Sequence, residues 1–419
     1  MLSQHFNQLI YDYRALLFLL ICLIGQFLGW RMWLRRVSSR RGRWLVHGLF
    51  ILFNLGWFFS VSTLFWGDNL TDFFWSWIGR PSVSWQVIYL MGILPLGLVG
   101  CLLAGLINLL AKMRAKKNGL PTAEIDQSRR ELFKNIGTIG SLGILGLSGY
   151  GILRQASYPE VNRVSLAIDG LPGELDGFVI AQLSDMHVGL WASQKELDKA
   201  VSAAAAEKPH LVALTGDLVD RNPDFAKLYY KPLERLAAVP YGVWAVLGNH
   251  DHYAGPVEIA RALDGRGLNM LVDSQVNIPG LPLSIIGLDD QGIHHSWLGN
   301  GGPSLTDRDD PDVLNFDMLT GPSPRPGDFT ILLNHRPEGF AQAARHGCRL
   351  YLAGHTHGGQ YQAPWNDQFN LAAAFYKYSS GLYHEHEAWL NVSKGLAAVG
   401  IPFRLWAWPE INIITLRRK

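Results

Sequence analysis

Long apolar runs dominate roughly the first third of the chain, whereas the remainder alternates short apolar runs with Gly, Pro, Asp and His. The first region contains four apolar stretches, at about 15 to 30, 44 to 66, 86 to 111 and 136 to 153. Each approaches the roughly 20 apolar residues that a helix needs to cross a bilayer. The first three contain no Asp, Glu, Lys or Arg, which is unusual for buried helices of water-soluble proteins. The pattern predicts an α-helical membrane domain of about four spans at residues 1 to 154, followed by a second domain at residues 155 to 419.

Basic residues flank the predicted spans unevenly. The segment "RMWLRRVSSRRGR", between the first two stretches, carries six arginines and no acidic residue, and a second strongly basic segment follows the third stretch. The loop between the second and third stretches has one arginine and two aspartates. Because loops rich in Lys and Arg stay in the cytoplasm, both basic loops are predicted to be cytoplasmic, with the N-terminus outside.

The heptad "SRRELFK" precedes the fourth stretch, in which Gly recurs at every third position. It resembles a twin-arginine export signal, although Leu132 and Phe133 stand in the reverse of the usual order. An accidental basic flank on a membrane helix is the alternative. No small-x-small cleavage site follows, so the stretch is predicted to remain as an anchor. These features predict a multi-pass protein of the bacterial inner membrane, with residues after about 155 on the periplasmic side.

Charge and cysteine content exclude several classes of protein and site. The formal net charge of the 419 residues is only +2, so no nucleic-acid partner is predicted. Of three cysteines, Cys22 and Cys101 lie in apolar runs and Cys348 stands alone. A disulfide framework and a cysteine-based zinc site are therefore excluded from the second domain. A transporter is disfavoured, because the predicted spans contain almost no polar residues.

The second domain alternates apolar runs of strand length with helical patterns, which is typical of an α/β fold. Five such runs carry a ligand-type residue near the carboxyl end: "GFVIAQLSDMHVG", "HLVALTGDLVD", "GVWAVLGNHD", "DFTILLNHRPE" and "CRLYLAGHTHGG". Helical segments such as "SQKELDKAVSAAAAEKP" and "FAKLYYKPLERLAAV" fall between them, as crossovers between parallel strands require. Since sites in open α/β sheets gather at the carboxyl ends of strands, the five motifs are predicted to converge.

The residues at these strand ends are those of a metal site. They are Asp185, His187, Asp217, Asn249, His335, His355 and His357. Oxygens and imidazole nitrogens without thiolates suit divalent transition ions such as Mn²⁺, Fe²⁺ or Zn²⁺. Seven ligands exceed the needs of one ion, whereas two ions about 3.5 to 4 Å apart can share a bridging carboxylate. In an extended backbone, D-x-H and H-x-H each place both side chains on one face. Singly, each motif has a simpler explanation as a cap or a hydrogen-bonded polar residue; five in order favour a two-metal site.

These motifs resemble those of the calcineurin-like metallophosphoesterase family, whose blocks are DxH, GDxxD, GNHD/E, a lone His and GHxH. Here they stand at Asp185 to His187, Gly216 to Asp220, Gly248 to Asp251, His335 and Gly354 to His357. The resemblance covers about 155 to 419, and its closing part is similar to the membrane-associated bacterial YaeI/YkuE-type phosphodiesterase branch. It implies an α/β/β/α sandwich, and the N-terminal membrane region lies outside it.

The resemblance also implies a role for each motif residue. The implied ligands are Asp185, His187 and His357 for one metal, Asn249, His335 and His355 for the other, and Asp217 as the bridge. His250 is implied to sit over the substrate phosphate, oriented by Asp251. The expected nucleophile is a hydroxide bridging the two ions. Because His250 is the motif residue that is not used as a ligand and can donate a proton at neutral pH, it is assigned as the general acid.

Two smaller questions stay open at this point. Arg404 has two explanations, pairing with a phosphate or pairing with a carboxylate. Gly358 and Gly359 either allow a close approach of the backbone to the site or form a simple turn.

Two other functions also stay open. A non-catalytic membrane sensor would bind metal or ligand without turnover, but the complete motifs argue against it. A pyrophosphohydrolase of a nucleotide-sugar lipid belongs to the cytoplasmic face, which the predicted topology opposes. The sequence thus predicts a membrane-anchored, binuclear metal-dependent phosphohydrolase, a phosphodiesterase rather than a monoesterase. An anchored domain favours a lipid-like or envelope-derived phosphoester as substrate, although an anchor that only localises the enzyme is the alternative. The oligomeric state is not indicated.

Overall fold

The computed structural model describes residues 37–66, 159–189, 192–220, 222–290, 314–399 and 403–419, with isolated positions between 24 and 35 and between 82 and 154. The chain divides into one unit of Met1–Ile152 and a second of Leu153–Lys419. In the first unit, helix α1 spans Arg40–Trp66.

The predicted span at 44 to 66 lies within α1. The other three predicted spans and the "SRRELFK" heptad lie wholly or largely outside the described residues. Among the helices of the described part, none is both long enough and apolar enough to cross a membrane. The other three spans stay predictions.

In the described part of the second unit, the strands form two six-stranded sheets and a small hairpin. The first sheet has the order β1 (Glu160–Ile168), β14 (Glu410–Arg418), β2 (Val179–Leu183), β3 (Leu211–Thr215), β4 (Val243–Val246) and β5 (Asn269–Met270). The second has the order β12 (Gly381–Glu385), β13 (Ala388–Val392), β9 (Leu350–Ala353), β8 (Phe329–Leu333), β7 (Leu283–Gly287) and β6 (Ser274–Asn277). The hairpin pairs β10 (Gln362–Ala363) with β11 (Asn366–Asn370).

The central strands of both sheets are parallel. β2, β3, β4 and β5 are parallel neighbours in the first sheet, as are β7, β8, β9 and β13 in the second. All five apolar runs that precede a predicted ligand are strands, namely β2, β3, β4, β8 and β9. Their carboxyl ends therefore open onto one edge of each sheet.

Short helices connect these strands. They are α2 (Gln194–Ala206), α3 (Tyr230–Glu234), α4 (Asn249–Ala254), α5 (Pro256–Leu263) and α6 (Phe340–Arg345). The 3-10 helices of the described chain are Gly173–Leu175, Pro223–Tyr229, Phe316–Met318, His357–Gly359 and Leu371–Ala374. The segment predicted as one helix, "FAKLYYKPLERLAAV", is instead a 3-10 helix followed by α3. Pro232 has no N–H to donate to a preceding carbonyl, which works against one continuous helix.

Two sheets enclose the main core, and helices cover their outer faces. Ile180 and Leu211 of the first sheet pack with Leu283, Ile331 and Leu350 of the second, all fully buried. Buried side chains of α2 and α5 pack on the outside of the first sheet, and those of α6 pack on the outside of the second. The layers are α/β/β/α, as the resemblance implied.

Candidate metal centre

Polar side chains at the carboxyl ends of the parallel strands meet at one edge of the sandwich. Four of them offer ligand atoms that all lie within 4.8 Å of one another: Asp185, His187, Asp217 and His357. All four are buried. Asp185 and His357 are far apart in the sequence. They meet because Asp185 follows β2 and His357 follows β9, and these strands end at the same edge of the two sheets.

Three short distances define a first group of ligand atoms. The Nε2 atoms of His187 and His357 are 3.3 Å apart. His357 Nε2 is also 3.3 Å from Asp185 Oδ1, and His187 Nε2 is 3.5 Å from Asp217 Oδ2. Two carboxylates and two imidazoles thus face one small volume, which is an arrangement that suits a divalent cation.

A second group adjoins the first through Asp217. His335 Nε2 lies 3.2 Å from Asp217 Oδ2, and His355 Nδ1 lies 3.3 Å from His335 Nε2. Asn249 is buried at the same edge, and its Oδ1 has no hydrogen-bond partner among the described residues. Such an atom is costly unless it binds a ligand. Asp217 Oδ2 therefore faces both His187 and His335. A carboxylate in this position could be shared by two ions.

Hydrogen bonds on the far side of two imidazoles select the tautomer that can bind a metal. His335 Nδ1 is 2.8 Å from the carbonyl of Thr215, and His357 Nδ1 is 3.0 Å from the carbonyl of Ala397. A carbonyl accepts only from a protonated nitrogen, so in the neutral form of each ring Nε2 keeps its lone pair for the site. This carbonyl-to-histidine pattern is common around protein-bound metals.

Electrostatics favour a cation in this volume. Burial lowers the pKa of His187 to about 4 and also lowers those of His355 and His357, so these rings are neutral as metal binding requires. Burial opposes charge on His335, but Asp217 and Asp185 raise its pKa to about 10. The proton on His335 thus compensates the buried carboxylates, and a divalent cation can take over that task. The donor set fits a metal.

The backbone at these positions differs from the predicted one. Asp185, His187, Asp217, His355 and His357 all have positive φ, at 51°, 41°, 50°, 71° and 52°. Since non-glycine residues rarely adopt this region, D-x-H and H-x-H do not share a face through an extended strand, and that reason was wrong. The strands end before the motifs, and a sharp left-handed turn aims each side chain at the centre. Such strain is typical of functional sites.

Glycines in the motifs make room for the ligands. A Cβ at Gly216 would lie 2.6 Å from His335 Nδ1, and a Cβ at Gly395 would lie 2.5 Å from the Asp185 Cβ. A Cβ at Gly248 would collide with Asp217, and one at Gly354 would collide with Asp185 and Ser184. The glycine that opens GDxxD, GNHD and GHxH is therefore required by the close packing of neighbouring loops.

Gly354→Ala is expected to lower the free energy of unfolding by about 1–3 kcal/mol, the usual cost of overpacking. The added methyl would collide with Ser184 Oγ and Asp185 Oδ2. Gly173→Ala is the matched control, because a Cβ there would meet no described atom within 4 Å. Parallel denaturant titrations of the two variants measure the difference. Equal stability of the two would mean that the Asp185 loop yields without cost.

His250 stands beside the ligands, and its partner differs from the predicted one. Its Nδ1 is 2.9 Å from Asp220 Oδ1, and its ring packs edge-on against His187 at 4.5 Å. Burial lowers the pKa of His250, but the hydrogen bond to Asp220 and the charge of Asp217 outweigh it and raise the pKa above its usual value. Asp220, which ends the GDLVD motif, was given no role from the sequence.

Asp251 does not orient His250, so that assignment was wrong. Its carboxylate accepts backbone N–H bonds from Gly248 at 2.9 Å, Val219 at 2.9 Å and Leu218 at 3.1 Å. Burial raises its pKa to about 7, although the three N–H donors act against this shift. Asp251 sits in the first turn of α4 and ties the GNHD loop to the GDLVD loop. Its role in the described structure is to hold two motifs together.

Residues outside the motifs complete the walls. Arg336 Nη1 is 2.9 Å from His355 Nε2, and its Nε donates to Asp290 at 2.7 Å. The Tyr376 hydroxyl is 3.3 Å from the same His355 nitrogen. An arginine N–H can only donate, so His355 Nε2 accepts from Arg336 here. Metal binding through Nδ1 would put the ring proton on Nε2, which the tyrosine oxygen could accept only if Arg336 moved away. Arg336 follows the lone His335 directly, a signal the sequence offered, whereas nothing in the pattern singled out Tyr376.

Arg404 fits neither of its two predicted explanations. It is fully buried, and Nη1 donates to the carbonyls of Lys394 at 2.7 Å and Ala407 at 2.9 Å. Its Nη2 lies 3.0 Å from His357 Nδ1 and shares the Ala397 carbonyl with it. Among the described residues it binds carbonyls rather than forming an ion pair, and burial lowers its pKa to about 10. It supports the back of the His357 ring.

Comparison with known proteins places these motifs in context. A family model described as calcineurin-like phosphoesterase matches residues 178–359. "Uncharacterized metallophosphoesterase YkuE" of Bacillus subtilis is 29% identical over 301 residues, which span 69% of this chain and 98% of that protein. An "Uncharacterized metallophosphoesterase" of Helicobacter pylori is 30% identical over 295 residues, covering 70% of this chain and 73% of that protein. A "Transmembrane protein with metallophosphoesterase domain" of Danio rerio is 28% identical over 352 residues, covering 82% and 74% respectively.

Proposed function

Because this chain belongs to the calcineurin-like metallophosphoesterase family, we propose that it is a membrane-anchored, metal-dependent phosphohydrolase that cleaves phosphodiesters. The observation that carries the proposal is the position of Asp217 Oδ2, 3.5 Å from His187 Nε2 and 3.2 Å from His335 Nε2. One carboxylate oxygen shared by two groups of ligands is what a two-ion site needs.

The proposed ligands follow the two groups. Asp185, His187 and His357 hold one ion, Asn249, His335 and His355 hold the other, and Asp217 joins them. The ions, Mn²⁺, Fe²⁺ or Zn²⁺, would supply an acidified water and neutralise phosphoryl oxygens. Asp217 Oδ1 is then also held by the backbone N–H of His250 at 2.8 Å, so the bridge and the proton donor keep a fixed spacing.

His250 is the proposed general acid. Asp220 accepts from its Nδ1, which fixes the ring and leaves Nε2 to carry the proton for the leaving oxygen. The raised pKa of His250, due to Asp220 and Asp217 acting against burial, favours the protonated ring. His250, held by Asp220, would thus protonate the leaving oxygen, which departs as a neutral alcohol.

Charge around the site favours a diester over a monoester. Arg336 reaches His355, but its charge is already compensated by Asp290, 2.7 Å away. A phosphodiester carries one negative charge and needs less compensation than a dianionic monoester. We therefore propose phosphodiesterase activity. Comparing the cleavage of a diester with that of a monoester tests this preference.

Membrane anchoring is proposed from the sequence and from one described helix. In α1, Trp44, Leu45 and Ile51 are exposed by 67%, 65% and 59%, a pattern that lipid tolerates and water does not. Relatives from Danio rerio and Bos taurus are named transmembrane proteins. We propose a multi-pass protein of the bacterial inner membrane, with residues after about 155 on the periplasmic side.

The purified full-length protein in detergent tests the catalytic proposal. With Mn²⁺ supplied, it should release nitrophenolate from bis(p-nitrophenyl) phosphate faster than from p-nitrophenyl phosphate, and a chelator should abolish both. Faster monoester cleavage would overturn the diester preference. Binding of Mn²⁺ without cleavage of either compound would indicate the non-catalytic sensor instead.

Topology is expected to follow the basic loops. Reporters fused after residues 40, 75 and 160 should read cytoplasmic, external and external, because the two arginine- and lysine-rich loops resist translocation. Paired alkaline phosphatase and green fluorescent protein fusions at each position measure this, each serving as the other's control. A cytoplasmic signal at 160 would contradict export and would favour the nucleotide-sugar lipid pyrophosphohydrolase.

A further inference from the structure

Four large apolar side chains are exposed beside the metal centre. They are Trp365, Phe369, Leu371 and Phe375, exposed by 79%, 70%, 56% and 82%. We call them the aromatic surface. All four lie between the 3-10 helix that begins at His357 and strand β12. Clusters of exposed apolar side chains mark surfaces that bind proteins or membranes.

The aromatic surface is fixed to the loop that carries two proposed ligands, His355 and His357. The N–H of Leu371 donates to the carbonyl of Tyr361 at 2.9 Å. At Gly359, where φ is +61°, a Cβ would collide with the backbone of Ala372. Gly359 is therefore required for a close backbone approach rather than for a turn alone. The backbone that approaches it belongs to the segment that bears the exposed side chains.

A groove adjoins the aromatic surface at Phe375. Its volume is about 770 Å³, and Phe375 and Tyr376 both line it. The Tyr376 hydroxyl is 3.3 Å from His355 Nε2, so a residue that lines the groove also contacts a proposed ligand. Arg345, Lys377 and Glu338 also line the groove, and Lys377 is paired with Glu385 at 2.9 Å. Apolar side chains at the outer end and charged side chains along the walls suit a phosphate-containing headgroup with lipid chains.

One lysine ties the hairpin of the aromatic surface to the first sheet. Glu160, which begins β1, pairs with Glu410 of β14. Lys394 Nζ is 2.8 Å from Glu410 Oε2 and 3.5 Å from Asp367 Oδ2. Asp367 lies in β11 with Phe369. Lys394 thus links β14, the neighbour of β1, to the hairpin that bears Phe369.

We propose that the aromatic surface contacts the lipid bilayer and that the substrate is a membrane phospholipid, whose phosphodiester enters the groove from the membrane. This rests on the proposed function. Trp and Phe side chains favour the bilayer interface, and Lys and Arg favour anionic headgroups. Bilayer contact would set the groove at the height of the phosphate layer.

Two substrates assayed on the same vesicles separate this proposal from the proposed function. The full-length protein is reconstituted in phosphatidylethanolamine–phosphatidylglycerol vesicles, as the unmodified chain and as Trp365→Ser/Phe369→Ser. Cleavage of headgroup-labelled phosphatidylethanolamine should fall about tenfold or more in the double variant, because weakened interfacial contact lowers access to lipid. Cleavage of water-soluble bis(p-nitrophenyl) phosphate should stay within about twofold.

Val272→Ser/Met318→Ser is the matched control. These two side chains are exposed by 42% and 43%, and they lie near β5 and β6, at the opposite sheet edges from β1 and β12. The control should cleave both substrates like the unmodified chain. An equal loss of both activities in Trp365→Ser/Phe369→Ser, or no loss of either, would overturn the proposal. Failure of the unmodified chain to cleave either substrate would instead refute the proposed function.

A spin label tests the membrane contact without any activity. Phe369→Cys is labelled in a Cys22→Ser/Cys101→Ser background, since Cys348 is buried with its pKa raised to about 12 and will not react. In vesicles, the label should be accessible to oxygen and shielded from a water-soluble nickel chelate, whereas a label at Val272→Cys should show the reverse. A water-accessible label at 369, or spin–spin broadening that indicates contact between two copies, would overturn the proposal.

Discussion

Asp217→Ala is expected to remove bound metal and to lower phosphodiesterase activity by about 10³-fold or more, since the ions contribute several kcal/mol to the transition state. Asp217 Oδ2 faces His187 and His335 together, so its loss leaves both ions with too little negative charge nearby. Elemental analysis of the purified chain after metal saturation measures the ions per chain, and the chromogenic diester measures activity.

Asp224→Ala is the control for this experiment, because the Asp224 side chain is 71% exposed and pairs only with Lys227 in the described structure. It should retain two ions and full activity. One ion per chain in the unmodified protein at saturation would defeat the two-metal assignment. Retention of both ions in Asp217→Ala would show that the bridge is elsewhere.

His250→Ala is expected to keep close to two ions per chain while the rate falls by roughly 10²- to 10⁴-fold, the span of general acid catalysis. The loss should depend on the leaving group. A nitrophenolate leaves with little need of a proton and should be affected least, whereas an alkyl alkoxide should be affected most. Rates for a series of diesters with leaving groups of different pKa, measured beside metal content, give both quantities.

Asp220→Asn should show a milder form of the same loss. Its carboxylate is 2.9 Å from His250 Nδ1, so the substitution disturbs the ring's orientation without removing the proton donor. Asp251→Asn should instead reduce stability, because three backbone N–H groups lose a charged acceptor. Metal loss in His250→Ala, or an equal penalty for good and poor leaving groups, would show that His250 has another role.

The sequence predicted the position of the centre because the relevant signal is local. Each apolar run reports a strand, and each motif follows its run directly, so convergence at Asp185, Asp217 and His335 required only parallel strands. The conformation of the motifs was not accessible in this way. Positive φ at Asp185 and His187 is imposed by neighbouring loops, and a D-x-H pattern looks the same in an extended strand.

The partner of His250 could not be settled from adjacency. Asp251 is next to His250 in the chain, but in the first turn of a helix successive side chains point in different directions. Asp220, 30 positions away, reaches the ring because β3 and β4 are neighbours. Arg404 shows the same limit, since its carbonyl partners lie in a loop that no periodic pattern describes. Contacts between loops depend on the completed fold.

The pairing of β1 with β14 has a consequence for how the catalytic unit folds. β14 lies between β1 and β2, and its register matches Glu160 with Glu410. Pairing β1 with β14 closes a loop that contains most of the catalytic unit. The entropy lost in closing this loop precedes the gain from native contacts, which slows folding. Until β14 inserts, β1 has no described strand beside it and β2 exposes an edge, the kind of surface that draws in other chains. We therefore expect the insertion of β14 into the middle of the sheet to be a late step of folding, and chains that stall before it to aggregate.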